Sequence, residues 1–224
     1  MIGDNKKTIA VMQPYFFPYA GYYQLFHGTD TFVILDCVQF PRRGWVHRNQ
    51  FSRFDGSVDW LTLPIRKCPQ DTQIKDLEFD LNQRHSDFIE NMFKFRVSEK
   101  ITAEEREVFF NFNQPVVDLL ESQLKLISKA LGFQVKIIRS SGLSLPTELK
   151  GQHRILEIVK ALGADKYINL SGGIDLYDFD YFRENGIGLE ILKPFLGDKR
   201  SILERIKFES ISMITKEIIE NSRS

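Results

Sequence analysis

Ile9-Ala-Val-Met-Gln-Pro-Tyr-Phe-Phe-Pro-Tyr-Ala-Gly-Tyr-Tyr-Gln-Leu-Phe26 is the stretch whose reading decides the fold. Ile9 to Met12 is a continuous apolar run, the pattern of a central parallel strand covered on both faces. Pro14 has no N–H and disfavours helical geometry at Gln13, so the strand stops there. Pro18 sets a second bend, and Gly21 lets the backbone pass close to a neighbour or a ligand. Tyr19 to His27 then reads as a helix. A strand, a glycine-containing loop and a helix start place free N–H groups at the carboxyl edge of a sheet, where open α/β sheets bind ligands and helix N-termini attract anions. Gln13, Tyr15, Tyr19 and Tyr22 supply polar groups at that point. The plainer reading of any one of these rings is packing, because aromatics dominate core energetics. Several polar tips and two prolines at one strand–helix junction favour a site for the stretch as a whole.

The next apolar run, Thr31 to Leu35, ends in Asp36. It completes a β–α–β unit with parallel strands, so Asp36 and Gln39 face the same crevice as Gln13 and Tyr15. Residues 37–58 are irregular and carry the densest basic cluster of the chain: Arg42, Arg43, His47 and Arg48, with Trp45 between them and Asn49 after them. Arginine forks match phosphate and carboxylate geometry. A solvated hairpin with scattered charges explains the same residues equally well. Trp60 to Ile65 and Ile74 to Phe79 read as two more strands, joined by a polar loop holding Lys67, Cys68 and Pro69. The β-rich excursion over 37–82 reads as a flap or small antiparallel subdomain over the crevice.

Further along, Gln83 opens a helix running to Val97, with His85 in its first turn. Ala103–Asn111 and Pro115–Leu131 are helical by period and read as scaffold. Val135–Ile138, Lys166–Leu170 and Gly188–Leu192 read as strands, alternating with helices over 150–162, 180–185 and 202–219. Small polar turns follow two of these strands, at Ser140–Gly142 and at Asn169, Ser171 and Gly172; each is a candidate contact, and a tight turn is the plainer reading. The last five residues are expected to fray. The whole is a single α/β domain with a mainly parallel, Rossmann-like sheet flanked by helices.

Composition sets bounds on partners. Thirty basic and thirty acidic residues cancel, so nothing favours a nucleic-acid or membrane-surface protein. Two cysteines, Cys37 and Cys68, make neither a disulfide framework nor a zinc spacing and read as free thiols of a reducing compartment. No window approaches a membrane span and the polar start is not a leader, so a cytoplasmic location is expected. No Walker A, G-x-G-x-x-G, G-x-S-x-G, H-E-x-x-H or cysteine–histidine cluster occurs, and no metal site is expected. Four polar clusters that all follow strands converge on one sheet edge, which argues for a ligand site.

Met12-Gln-Pro-Tyr-Phe-Phe-Pro-Tyr-Ala-Gly-Tyr-Tyr-Gln-Leu resembles the opening motif of the WbqC-like family. The resemblance continues through Asp36-Cys-Val-Gln-Phe, Arg43-Gly-Trp-Val-His-Arg-Asn and Trp60-Leu-Thr-Leu-Pro-Ile-Arg-Lys, and at His85, Arg154, Tyr167-Ile-Asn-Leu-Ser-Gly-Gly and Ser201-Ile-Leu. It covers nearly the whole chain; Lys193–Lys199 is shorter than the family pattern. Members of the family occur among bacterial genes for O-antigen and other surface polysaccharides. The resemblance implies a transferase that moves an acyl or aminoacyl group, glycyl among them, onto the amine of a nucleotide-linked amino sugar. The resemblance fixes no cofactor beyond an activated acyl or aminoacyl donor. The donor could be an aminoacyl-tRNA, a carrier-protein thioester, a coenzyme A thioester or an adenylate made in place, and pairing as a homodimer is allowed for.

By position and chemical type, His85 or Asp36 is the expected base, and Gln13, Tyr15 or loop N–H groups the oxyanion or sugar contacts. Arg43, Arg48 and Lys67 are the expected diphosphate contacts. A second reading is a nucleotidyl-transfer or adenylate-forming enzyme using ATP and magnesium, because the order strand, proline, aromatic-x-Gly-aromatic, helix is similar to the HxGH segment of nucleotidyltransferases. Tyrosines at those places cannot carry a histidine's charge. A third reading is a non-catalytic nucleotide-sugar binding module.

Overall fold

A computed structural model describes residues 7–222. Five parallel strands form the main sheet: β1 (Thr8–Met12), β2 (Thr31–Ile34), β5 (Lys136–Arg139), β6 (Lys166–Asn169) and β7 (Gly188–Ile191). Their order is β5-β2-β1-β6-β7. β1 is central, pairing Ile9 with Thr31 on one side and Tyr167 on the other. The order reverses between β1 and β6, which makes the carboxyl ends of those two strands the switch point of the sheet. β3 (Arg48–Ser52) and β4 (Val58–Thr62) form a separate antiparallel hairpin.

The apolar run of β1 divides between two cores. Ile9 and Val11 pack with Val33, Tyr167 and Phe182 and with Ile155, Leu156, Ile158 and Val159 of helix α4 (Gly151–Ala161). Ala10 faces the larger core with Phe32, Ile34 and Ile168. Alternate residues therefore meet opposite layers, which is why no polar residue interrupts the run. The larger core also takes the apolar stripe of α3 (Val116–Ala130), where Leu119, Leu120, Leu124 and Ile127 are buried. Helix α2 (Ala103–Phe109) opens with a capping box in which the Thr102 hydroxyl and the Glu105 carboxylate exchange backbone partners.

Three expected elements differ. Ala20–Phe26 is a 3-10 helix with every residue buried. It has no polar face, so tertiary packing dictates its tight winding. Ile74–Phe79 is not a strand: a short 3-10 turn over Ile74–Asp76 buries Ile74 and Leu77, three residues apart, and only Phe79 makes a bridge, to Ile65. Helix α1 (Gln83–Met92) stops five residues before Val97, and Phe95 leaves it in extended geometry to pair with Arg53. The terminal helices expected over 202–219 are α6 (Ile202–Phe208) and α7 (Ile211–Ser222), with extended Glu209 between them. The helix reaches Ser222, so of the five residues expected to fray, Glu220 to Ser222 are helical and the other two lie outside the described residues.

Gly21 shows what the opening stretch requires. A Cβ there would lie 2.3 Å from the Tyr19 ring and 2.6 Å from Cβ of Phe195. Its smallness serves close packing between the first loop and residue 195. Gly21→Ala overpacks this contact and is expected to cost about 1–3 kcal/mol. For a chain of this length that lowers Tm by roughly 2–4 °C per kcal/mol; an unchanged thermal unfolding curve would contradict it.

Candidate functional site

The loop after β1 is buried, and its backbone polar groups must find partners inside the protein. Phe16 donates its N–H to the Trp45 carbonyl at 2.9 Å. The Asn49 side chain, 5% exposed on β3, donates Nδ2 to the carbonyls of Phe16 (3.0 Å) and Phe17 (2.6 Å). Ser201 Oγ donates to the same Phe17 carbonyl at 3.0 Å, and Ile202 N–H to the Pro18 carbonyl at 3.0 Å. Phe17 has φ of 43°, a left-handed conformation that a bulky residue rarely adopts. Donors from the hairpin and from the α6 entry hold it there.

That clamp orients Tyr15 and Tyr19 into a pocket of about 340 Å³ lined by Tyr15, Pro18, Tyr19, Trp45, Asn49, Gln50 and Lys199. The volume lies in the range of small-ligand sites, on the order of 300–1,000 Å³. Burial pushes both tyrosine hydroxyls up from their ordinary value, and for Tyr15 the neighbouring Tyr19 adds to it. Both remain neutral donors at physiological pH. Trp45 stands 5.1 Å from Trp60, whose other neighbour is the Arg48 guanidinium, 4.1 Å from the ring centroid. Lys199 is the pocket's one charged lining residue, so the pocket suits an anion that also carries a flat or apolar face.

A second cluster sits at the carboxyl ends of β2 and β5. Asp36 is fully buried there. Its carboxylate accepts from Ser140 Oγ at 2.8 Å, the Ser141 N–H at 2.9 Å and Ser141 Oγ. At the end of β6, Asn169 donates Nδ2 to the Tyr177 hydroxyl at 3.0 Å and accepts the Leu170 N–H. Ser171 and Gly172 open a 3-10 turn beyond it, half-buried and exposed respectively. Gln13 is half-buried at the end of β1, and its carbonyl accepts the hydroxyl of fully buried Tyr22 at 2.7 Å. Tyr22 thus supports the loop from within the core, and Gly21 is closed off by Phe195.

Other expected contacts lie apart. His85 stands edge-on to Phe112 and lines a depression with Leu81, Glu107, Phe110, Asn111 and Asn113, none of which lines the Tyr15–Lys199 pocket. Arg43 and Lys67 are exposed. Arg48 spends its fork on the Arg43 carbonyl and the Trp60 face. Gln39 is tied down, donating to the Gln70 carbonyl at 2.8 Å and bridging to Gln73. Trp45, Gln50 and Lys199 carry the pocket instead. Trp45 was visible as an aromatic plate within the basic cluster, whereas Gln50 and Lys199 belong to no motif.

His47 sits on the loop entering β3, edge-on to Phe40 at 4.9 Å, and its buried Nδ1 has no partner. Burial, with the Arg48 charge second, lowers its pKa to about 4. The unfolded chain binds a proton near pH 6.5 that the folded one refuses until about pH 4. Stability is therefore full above pH 6.5 and falls as pH drops through that window, by about 3 kcal/mol at most. Urea unfolding of the wild type should weaken across this range, and His47→Asn should flatten that part of the profile; an unchanged slope in the variant would sink the assignment.

Among the described residues no helix is long and apolar enough to cross a membrane, and no group of three or more metal-ligating side chains occurs. No solved structure matches the chain. Over 60 residues it is 33% identical to the uncharacterized protein Rv1507c of Mycobacterium tuberculosis, a match that spans 27% of this chain and 26% of that one. The model of the WbqC-like protein family matches residues 13–196, from the end of β1 to the Phe195 loop. The chain belongs to the WbqC-like protein family.

Proposed function

We propose that the protein is a cytoplasmic transferase that moves an acyl or aminoacyl group, glycyl among them, onto the amine of a nucleotide-linked amino sugar in surface-polysaccharide assembly. The observation that carries this reading is the make-up of the Tyr15–Lys199 pocket. Three aromatic rings, the Gln50 amide and a single cation match a sugar or base face, its hydroxyls and a phosphate. A nucleotide sugar presents all three. Family membership and the switch-point sheet agree with it.

In this reading Tyr15 and Tyr19 donate to sugar or phosphate oxygens and Lys199 faces the phosphates. Gln13, Asn169, Ser171 and Gly172 line the crevice between β1 and β6, where the carbonyl oxygen of the donor becomes negative during attack. Asp36 accepts the amine proton through Ser140. The acyl donor is an activated ester or thioester.

Thermal unfolding in the presence of UDP- and dTDP-amino sugars tests the reading, with ATP and magnesium as the comparison. A ligand at a hundred times its Kd stabilises by about 2.7 kcal/mol. The sugar nucleotides should raise Tm, and Trp45→Ala and Lys199→Ala should each weaken that binding about two- to fivefold. Stabilisation by ATP with magnesium, and not by sugar nucleotides, would replace the proposal with nucleotidyl transfer. If ligand binds and Asp36→Asn turns over as fast as the wild type, Asp36 is not the base.

A further inference from the structure

The chain has two free cysteines, both half-buried, in different surroundings. Cys68 lies in the polar loop between β4 and the Ile74 turn, packed at the edge of the larger core. Cys37 follows Asp36 at the carboxyl edge of the main sheet. Its sulfur accepts Nε–H of Arg154 at 3.0 Å and lies 2.9 Å from Ser140 Oγ. Ser140 Oγ in turn donates to Asp36, so a continuous path runs from the Cys37 sulfur through Ser140 to the Asp36 carboxylate.

Arg154 makes this more than a cysteine near the site. It is 8% exposed, and its other acceptor is the Pro146 carbonyl at 3.2 Å. No carboxylate pairs with it among the described residues, although the chain's other well-buried arginine, Arg205, has Glu209 and Glu217. A buried guanidinium without a counter-charge is costly. The group its Nε–H points at is a thiol, which can supply a negative charge in direct contact with the guanidinium by losing its proton.

We propose that Cys37 is the nucleophile that carries the acyl group as a thioester, with Arg154 stabilising its thiolate and Ser140 and Asp36 accepting its proton. This rests on the transferase reading and adds a covalent step. The thiol proton passes to Ser140 Oγ as Ser140 passes its own to Asp36. The thiolate attacks the carbonyl of a thioester donor; a C–S bond to Cys37 forms, the donor's C–S bond breaks, and the departing thiolate takes the proton held on Asp36. The sugar amine then attacks the Cys37 thioester. A C–N bond forms, the C–S bond to Cys37 breaks with sulfur leaving as the thiolate facing Arg154, and the amine proton goes to Asp36 and returns through Ser140 to Cys37, restoring the thiol. The net change is donor thioester plus amine to amide plus thiol.

Two measurements on the full-length protein test it. The first needs no substrate: iodoacetamide labelling at neutral pH, followed peptide by peptide, with Cys68 as the internal reference. Cys37 should label about tenfold faster than Cys68, and Arg154→Met should bring it to the Cys68 rate, with Arg154→Lys retaining part of the difference should the methionine variant not fold. Equal labelling in the wild type overturns the proposal. The second is intact-mass analysis after incubation with acetyl and glycyl thioesters of N-acetylcysteamine. A hydroxylamine-sensitive adduct present in Cys68→Ser and absent in Cys37→Ser supports it. Amide product formed equally by wild type and Cys37→Ser overturns the Cys37 step and leaves the transferase reading standing. An adduct on Cys37 with no amide formed on any amino sugar supports the nucleophile and removes the transferase reading.

Discussion

The amide of Asn49 is the contact on which the site depends. It is one side chain, almost fully buried, holding two successive backbone carbonyls of a loop that has no water to turn to. A buried carbonyl left unpaired costs about 1–3 kcal/mol; without Asn49 the Phe16 carbonyl would be orphaned and the Phe17 carbonyl would keep only Ser201. The same amide, helped by Ser201, keeps Phe17 in a backbone conformation that its ring would otherwise oppose. Three parts distant in sequence are thereby tied into one: the loop after the central strand, the antiparallel hairpin, and the entry to α6. The two tyrosines that face the pocket are held by this knot, and so is the Trp45 backbone. The hairpin, although outside the main sheet, is a structural partner of the loop it touches.

Much of this architecture was legible in the residues. The apolar run at Ile9–Met12 predicted a doubly covered strand, and its alternate side chains do face two separate cores. Strand–helix alternation predicted a parallel sheet, and all five strands are parallel. Missed elements share a cause. Ile74, Leu77 and Phe79 look like strand alternation when only the last two are read, but the first pair sits three apart and winds a turn. The buried segment Ala20–Phe26 has no polar face, so periodicity could not set its pitch.

The candidate site was legible in outline and misread in detail. Strand ends told where polar groups would gather, and Asp36, Asn169, Tyr15 and Tyr19 are found there. What a motif cannot tell is whether a polar group is already spent. Tyr22 looked like a ligand contact and gives its hydroxyl to Gln13; Asn49 looked like one and gives its amide to the loop. Arg48 looked like a phosphate fork and lies on an indole. Lys199 and Arg154 fall at positions the family resemblance touched, but neither was given a role, because only the folded chain brings one beside the tyrosines and the other beside a sulfur.

The place of β1 at the centre of the sheet has a consequence for how the chain is made. Its first neighbour, β2, begins at Thr31, but its second neighbour, β6, begins at Lys166. During synthesis, one edge of this central strand waits until Lys166 and the residues after it have emerged. Long-range parallel pairing is slow and leaves strand edges open to other chains in the meantime. Until β6 arrives, the 3-10 helix and its aromatic rings are the nearest cover the nascent strand has. The contacts among Tyr22, Tyr23, Phe26 and Phe32 all lie within the first fifty residues, so this apolar cluster needs nothing from β6 in order to form.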